Sequence, residues 1–131
     1  MKKIIFYLSL LICSILICCS KKLYATNGET IYKTGRNKNG EKLLDKSNSI
    51  IKFVNSCITC HGNKGNRMNS VSIKFSDLSN PKNYKIPYND SLFYRFLDHD
   101  LKSDDSKANI GVIWKMNYQD KSDLLKYLKT L

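Results

Sequence analysis

The sequence predicts an all-α fold, a small helical domain in which long loops join a few short helices. Apolar residues recur at helical spacing in two segments, 92–101 and 124–131. The alternating pattern of a strand occurs only briefly, at 71–75. Segment 63–89 is rich in Asn, Ser and Lys and contains Gly65, Pro81 and Pro87, a composition typical of loops. We therefore expect helices and loops without a sheet.

Residues 1–25 have the pattern of a secretory signal peptide. Two lysines precede an apolar stretch at 4–19, and polar residues follow it. This stretch is shorter than the roughly 20 apolar residues that a bilayer span needs. We predict export with cleavage after Ala25. An uncleaved anchor, or a lipoprotein acylated at Cys18 or Cys19, is the alternative.

Residues 26–131 are then one small domain, because so short a chain cannot build two independent cores. The full chain has 22 basic and 11 acidic residues. We interpret this excess as a solvated, lysine-rich surface, and attraction to an acidic partner protein is the alternative. An exported chain without a nucleic-acid-binding motif is not expected to bind nucleic acid.

The first helix of the domain has start and stop signals. Thr26 and Glu29 have the spacing of a capping box, and Gly35 is a natural C-terminal residue. The polar segment 36–49 that follows contains an Asn-Gly turn pair at 39–40. We interpret this segment as an exposed excursion, more simply a decoration than a docking surface for a partner.

The remaining elements follow in order. The apolar cluster at 50–54 is predicted core, and a short helix after it should end at Gly62. Segment 63–89 is predicted to be a long loop, which is unusual in a small domain unless the loop wraps a bound group. Asn89 is a candidate cap for the 92–101 helix, and the last helix is expected to start near Asp120.

The central motif is Cys57-Ile58-Thr59-Cys60-His61. It has the Cys-x-x-Cys-His pattern of c-type haem attachment. Two thiols at this spacing can reach both vinyl groups of one porphyrin, and the adjacent histidine is then placed beneath the iron. We predict one haem c bound covalently through Cys57 and Cys60, with His61 as an iron ligand.

Three other interpretations compete for the motif. A thioredoxin-like redox pair would need a strand before Cys57 and a parallel sheet around it. A zinc site would need further ligands, yet outside the motif the domain offers only His99 and no second cysteine pair. A plain disulfide between Cys57 and Cys60 would leave His61 and the long loop unexplained.

Met116 is the predicted sixth iron ligand, because it lies between an apolar stretch and the last helix, on a loop that could cover the other haem face. Met116 as ordinary core packing is the alternative. His99 is the rival ligand, at the edge of a helix between two aspartates. Met68 is a weaker candidate, because it follows the motif too closely to reach the opposite face.

With these residues in place, the chain resembles the class I cytochrome c family. Gly28 and Tyr32, the 57–61 motif and the 114–131 tail carry the resemblance. It implies a cytochrome c-like fold whose loops wrap one covalently bound haem. It also implies contact of Gly28 and Tyr32 with Tyr127, since the family packs its first helix across its last.

The ligand set and the resemblance together predict a function. We expect a monohaem c-type cytochrome, not an enzyme, that transfers single electrons between redox partner proteins outside the cytoplasm. It would be periplasmic or otherwise extracytoplasmic, either free or held at the membrane by its N-terminus. The alternative is a haem enzyme subunit or a small-molecule sensor with an open sixth iron site. A third possibility is a module without haem, held by a disulfide.

Overall fold

The computed structural model describes residues 24–67 and 72–131. The signal peptide predicted at 1–25 therefore lies almost wholly outside the described residues, and so does Met68. In the described ranges, no helix combines the length and the apolar composition that crossing a membrane requires.

Short helices joined by loops make up the described chain. The five helices are α1 (Asn27–Thr34), α2 (Cys57–His61), α3 (Phe75–Leu78), α4 (Asp90–His99) and α5 (Tyr118–Leu128). Three isolated antiparallel bridges fasten the loops, pairing Arg36 with Lys42, Leu44 with Trp114, and Leu101 with Lys107. The core lies between α1, α4 and α5, where their apolar faces meet.

The prediction of an all-α, cytochrome c-like fold is wrong. Helices hold 37% of the described residues, and the described chain contains only small helices and no strand. Two of the helices, α2 and α3, have only five and four residues. The turn-forming residues between the helices make hydrogen bonds from one loop to another instead of extending the helices. The architecture is a mixture of short helices and loops.

Helix α1 begins and ends where its cap residues predict. The Thr26 hydroxyl accepts from the Glu29 N–H at 3.0 Å, and the Glu29 carboxylate accepts from the Ala25 N–H at 3.2 Å. Gly35 follows the helix with φ of 66°, and its N–H donates to the Ile31 carbonyl. Both predicted ends of this helix are confirmed.

Helices α1 and α5 cross in close contact at Gly28. A Cβ atom on Gly28 would stand 1.9 Å from the Asp123 carbonyl oxygen and 2.9 Å from Tyr127 Cβ. One turn further along α1, the Tyr32 and Tyr127 rings lie 5.2 Å apart between centroids. The predicted contact of Gly28 and Tyr32 with Tyr127 is confirmed.

Asparagine side chains start the two longer helices near the core. The Asn89 side chain accepts from the Leu92 N–H at 2.8 Å and begins α4, as predicted. The Asn117 side chain accepts from the Asp120 N–H at 2.8 Å. Helix α5 therefore begins at Tyr118, two residues before the predicted start.

The apolar cluster at 50–54 is not the core segment that its composition predicts. Ile50 is 83% exposed and Phe53 is 76% exposed, whereas Val54 is buried. The N–H groups of Ile50 and Ile51 both donate to the Gly111 carbonyl, at 2.9 and 3.0 Å. These bonds hold the chain along the surface at this point, so the core prediction is wrong for Ile50 and Phe53.

The connecting segment, residues 36–49, is not an exposed decoration. Its turn at 39–40 is confirmed, because the Gly40 N–H donates to the Asn37 carbonyl at 2.8 Å and Gly40 has φ of 81°. Its buried residues are Asn37, Leu43, Asp45 and Ser49. The segment therefore belongs to the packed structure.

Candidate cofactor site

Helix α2 presents the three predicted attachment residues together. Cys57 and Cys60 are three positions apart and His61 follows at once, so Cys57 shares a helix face with both. The helix ends at Gly62, which has φ of 68° and donates its N–H to the Ile58 carbonyl at 3.0 Å. Both thiols are free, and all three side chains are half-buried.

An apolar cavity opens beside this helix. Cys57, Cys60 and His61 line it, and its volume is about 110 Å³. The apolar side of the wall includes Val54, Phe93, Phe96, Leu97, Val112 and Trp114.

A second cavity continues the first. The two share Ile73, Phe93, Phe96 and Ile110 in their walls. The second cavity is also lined by two tyrosines and one lysine, Tyr84, Tyr88 and Lys102. The first cavity has two thiols and an imidazole in its wall, and the second has hydroxyl and ammonium groups. Together with the apolar side chains between them, these groups fit a haem with its propionates.

The environment of the Cys57 thiol disfavours a redox disulfide. Burial raises the pKa of the Cys57 thiol to about 12, with a smaller contribution from Cys60. Reactive redox cysteines have a lowered pKa, because the thiolate is the nucleophile. The six residues before Cys57 form a loop, not the strand that a thioredoxin-like site would require.

The zinc interpretation gains no support from the described residues. Across 24–67 and 72–131, no group of three or more His, Cys, Asp or Glu side chains is arranged to hold a metal ion. His99, the histidine outside the motif, is the exposed last residue of α4. It does not lie in the wall of the cavity that Cys57 and Cys60 line.

Tyr32 connects the core to the attachment helix. Its hydroxyl donates to the Gly62 carbonyl at 2.5 Å, in a buried position. Burial, with a smaller contribution from the nearby Cys57, raises the pKa of Tyr32 to about 12. Sequence reasoning predicted Tyr32 as a packing residue and missed this hydrogen bond. No sequence signal reports it, because the acceptor is a backbone carbonyl 30 positions away.

Tyr32→Phe should destabilise the fold by roughly 1–3 kcal/mol, because it leaves the buried Gly62 carbonyl without its donor. Urea unfolding followed by circular dichroism measures the change. Tyr118→Phe is the matched control, since Tyr118 is 72% exposed and its substitution should leave the midpoint unchanged. Equal midpoints for the two variants would contradict the role assigned to the hydroxyl.

Arg67 covers the carboxyl end of the attachment helix. Its backbone N–H donates to the His61 carbonyl at 3.0 Å, and its guanidinium donates to the Thr59 carbonyl at 3.2 Å. Nothing in the sequence indicates these two bonds. They satisfy carbonyls that the short helix leaves without partners of its own.

Met116 is buried but separate from the cavity wall. It is 9% exposed and belongs to the apolar core. Trp114, two residues earlier, lines the cavity, whereas Met116 does not. The described chain thus brings Cys57, Cys60 and His61 to one cavity, and Met116 is not among the residues that line it. Its assignment as sixth ligand stays a prediction.

No model of a known protein family matches this chain, and no curated protein or solved structure is similar to it. The resemblance to class I cytochromes c therefore stays a prediction that rests on the residues quoted for it.

Proposed function

We propose that this chain is a monohaem c-type cytochrome that transfers single electrons between redox partner proteins outside the cytoplasm. One observation carries the proposal: Cys57, Cys60 and His61 share a single short helix and line one apolar cavity. The proposal concerns covalent haem chemistry and requires no particular fold class.

The attachment residues have distinct tasks. The thiols of Cys57 and Cys60 would hold the haem through thioether bonds, each formed by addition of one S–H across one vinyl C=C bond with no atom lost. The His61 imidazole would be an iron ligand, and Arg67 and Gly62 hold the end of the helix that carries it. When bound, the haem supplies an iron centre that gains and loses one electron.

The walls of the cavity suit a carrier more than a catalyst. Its apolar side chains, such as Phe93 and Trp114, exclude water from the cofactor. Low solvent exposure and a methionine ligand both raise a haem reduction potential. Met116 is the proposed second iron ligand, because it is buried in the core two residues after Trp114, which lines the cavity.

Charge and the N-terminal sequence support the proposed location and partners. Without Lys2, Lys3, Lys21 and Lys22, the domain at 26–131 has 18 basic and 11 acidic residues, a formal net charge of +7, which favours encounter with acidic redox proteins. The signal-peptide pattern of 1–25 supports export to the periplasm or another extracytoplasmic compartment, with the protein either free or anchored by that segment.

Absorption spectra test the proposal. The protein would be produced in a host with a cytochrome c maturation system, alongside Met116→Ala and His99→Ala. We expect a low-spin spectrum with a weak near-infrared methionine-to-iron band, lost in the Met116 variant and retained in the His99 variant. His99→Ala is the matched control, because the exposed His99 lies outside the cavity wall.

Two results would contradict the proposal. Material without a haem spectrum would favour a module held by a Cys57–Cys60 disulfide. A high-spin spectrum that neither substitution changes would favour the enzyme or sensor with an open sixth site. Met116 does not line the cavity, and this observation favours the second candidate.

A further inference from the structure

The connecting segment is bonded to the chain that leads into Met116. An antiparallel bridge joins Leu44 to Trp114, and the Lys115 N–H donates to the Leu43 carbonyl at 2.8 Å. These backbone bonds are made at the two residues immediately before Met116. The connecting segment therefore sets the path of the chain at this point.

The same pairing extends along residues 110–116, defined here as the wall segment. The Asp45 N–H donates to the Ile113 carbonyl, and the Ile113 N–H donates to the Ser49 hydroxyl, both at 2.9 Å. Val112 and Trp114 of the wall segment line the cavity. The wall of the candidate cofactor site is thus held from behind by the connecting segment.

The Asp45 carboxylate is the centre of this contact. It accepts from the Ser47 hydroxyl at 2.5 Å, from the Asn48 amide at 2.7 Å and from the Lys115 ammonium at 2.8 Å. Its side chain is only 4% exposed. The Lys115 ammonium, followed by Ser47 and Asn48, holds the pKa of Asp45 well below its usual range, so the carboxylate is charged at neutral pH.

The ion pair links a buried anion to an exposed cation. The Lys115 side chain is 67% exposed, whereas the Asp45 carboxylate is buried and would keep only its bonds from Ser47 and Asn48 if the ammonium left. Removing the cation that neutralises a buried anion is unfavourable. The pair therefore favours the arrangement in which Lys115, and with it the wall segment, stays against Asp45.

We propose that Asp45 is a positioning residue that fixes the wall segment through Lys115, and with it the position of Met116, the proposed second iron ligand. This rests on the proposed function, because it assigns Asp45 a role in holding an iron ligand. Asp45 itself does not line the cavity.

Imidazole binding to the ferric protein tests the positioning role, because imidazole takes the sixth iron position only when Met116 moves away. The variants are Lys115→Gln and Asp45→Asn. Because imidazole binds only after Met116 has moved away, its binding rate follows the population of that open state, which we expect to rise roughly tenfold. The near-infrared methionine band should weaken in both variants.

Two controls separate positioning from general stability. Lys33→Gln removes a comparable pair, Lys33 with Glu29 at 2.8 Å, on helix α1, and should leave the imidazole rate unchanged. Lys115→Arg keeps the cation and should retain the rate of the parent protein. If Asp45→Asn fails to fold, Lys115→Gln alone decides the test. The Lys115 side chain is exposed, so its substitution should not prevent folding.

A Lys115→Gln protein that binds imidazole at the parent rate overturns the positioning role. A haem-containing parent without a methionine band overturns it too, together with the Met116 assignment, and leaves the cytochrome proposal standing. A parent without haem overturns the proposed function and this inference together.

Discussion

Gly28→Ala is expected to destabilise the protein by about 3 kcal/mol. The added Cβ would stand 1.9 Å from the Asp123 carbonyl oxygen, which belongs to the backbone of α5 and cannot rotate away. Helices α1 and α5 must then separate, and separation loosens the buried packing of Tyr32 against Tyr127. Urea unfolding followed by circular dichroism measures the loss.

The control for Gly28→Ala is Lys126→Ala on α5. The Lys126 side chain is 70% exposed, and its ion pair with Asp123 spans 3.5 Å on the surface. Such a substitution should change the free energy of unfolding by less than about 0.5 kcal/mol. If Gly28→Ala unfolds at the same urea concentration as this control, the close crossing of α1 and α5 is wrong.

The double substitution Cys57→Ala and Cys60→Ala should abolish the retention of haem by the denatured chain. Each single variant should retain haem through one thioether, with an absorption maximum shifted by the remaining vinyl group. The measurement is the haem spectrum of denatured protein in pyridine and alkali, together with haem staining after denaturing electrophoresis. Only a covalent bond through sulfur survives both treatments.

Thr59→Ala is the matched control for the cysteine variants. Thr59 lies within the motif, but its side chain is exposed and makes no predicted bond to the cofactor. This variant should retain haem as the parent does. Haem retained by the denatured double variant would show that the cysteines are not the attachment sites.

The ends of the helices could be predicted from the sequence because they depend on local hydrogen bonds. Thr26 with Glu29, and Asn89 with Leu92, interact within three positions. Gly62 ends α2 for a similarly local reason, a backbone φ of 68° that favours glycine. Signals of this kind are fully contained in a short stretch of sequence.

The path of the loops could not be predicted, because it depends on distant backbone partners. The connecting segment appeared exposed in the sequence, yet Ser49 pairs with Ile113, 64 positions away. Ile50 appeared to belong to the core, but its N–H bonds to Gly111 and leaves its side chain outside. The same long-range bonds explain why the all-α prediction was wrong.

In the candidate site too, local features could be predicted from the sequence and long-range contacts could not. The Cys-x-x-Cys-His motif is local, so the sequence located Cys57, Cys60 and His61 at once. The cavity wall, in contrast, is assembled from separate parts of the chain. No sequence pattern predicts the hydrogen bond from Tyr32 to Gly62 or the ion pair between Asp45 and Lys115.

The crossing of α1 and α5 also has a consequence for the order of folding. The Asn27 side chain donates to Asp123 at 3.0 Å, although the two residues are 96 positions apart. Closing so long a loop carries a large entropic cost and is slow compared with forming any single helix. Until α5 docks, the cavity lacks the wall that Leu124 and Leu128 provide. Before the last helix docks, the cavity that Cys57 lines is therefore open on the side that this helix later provides.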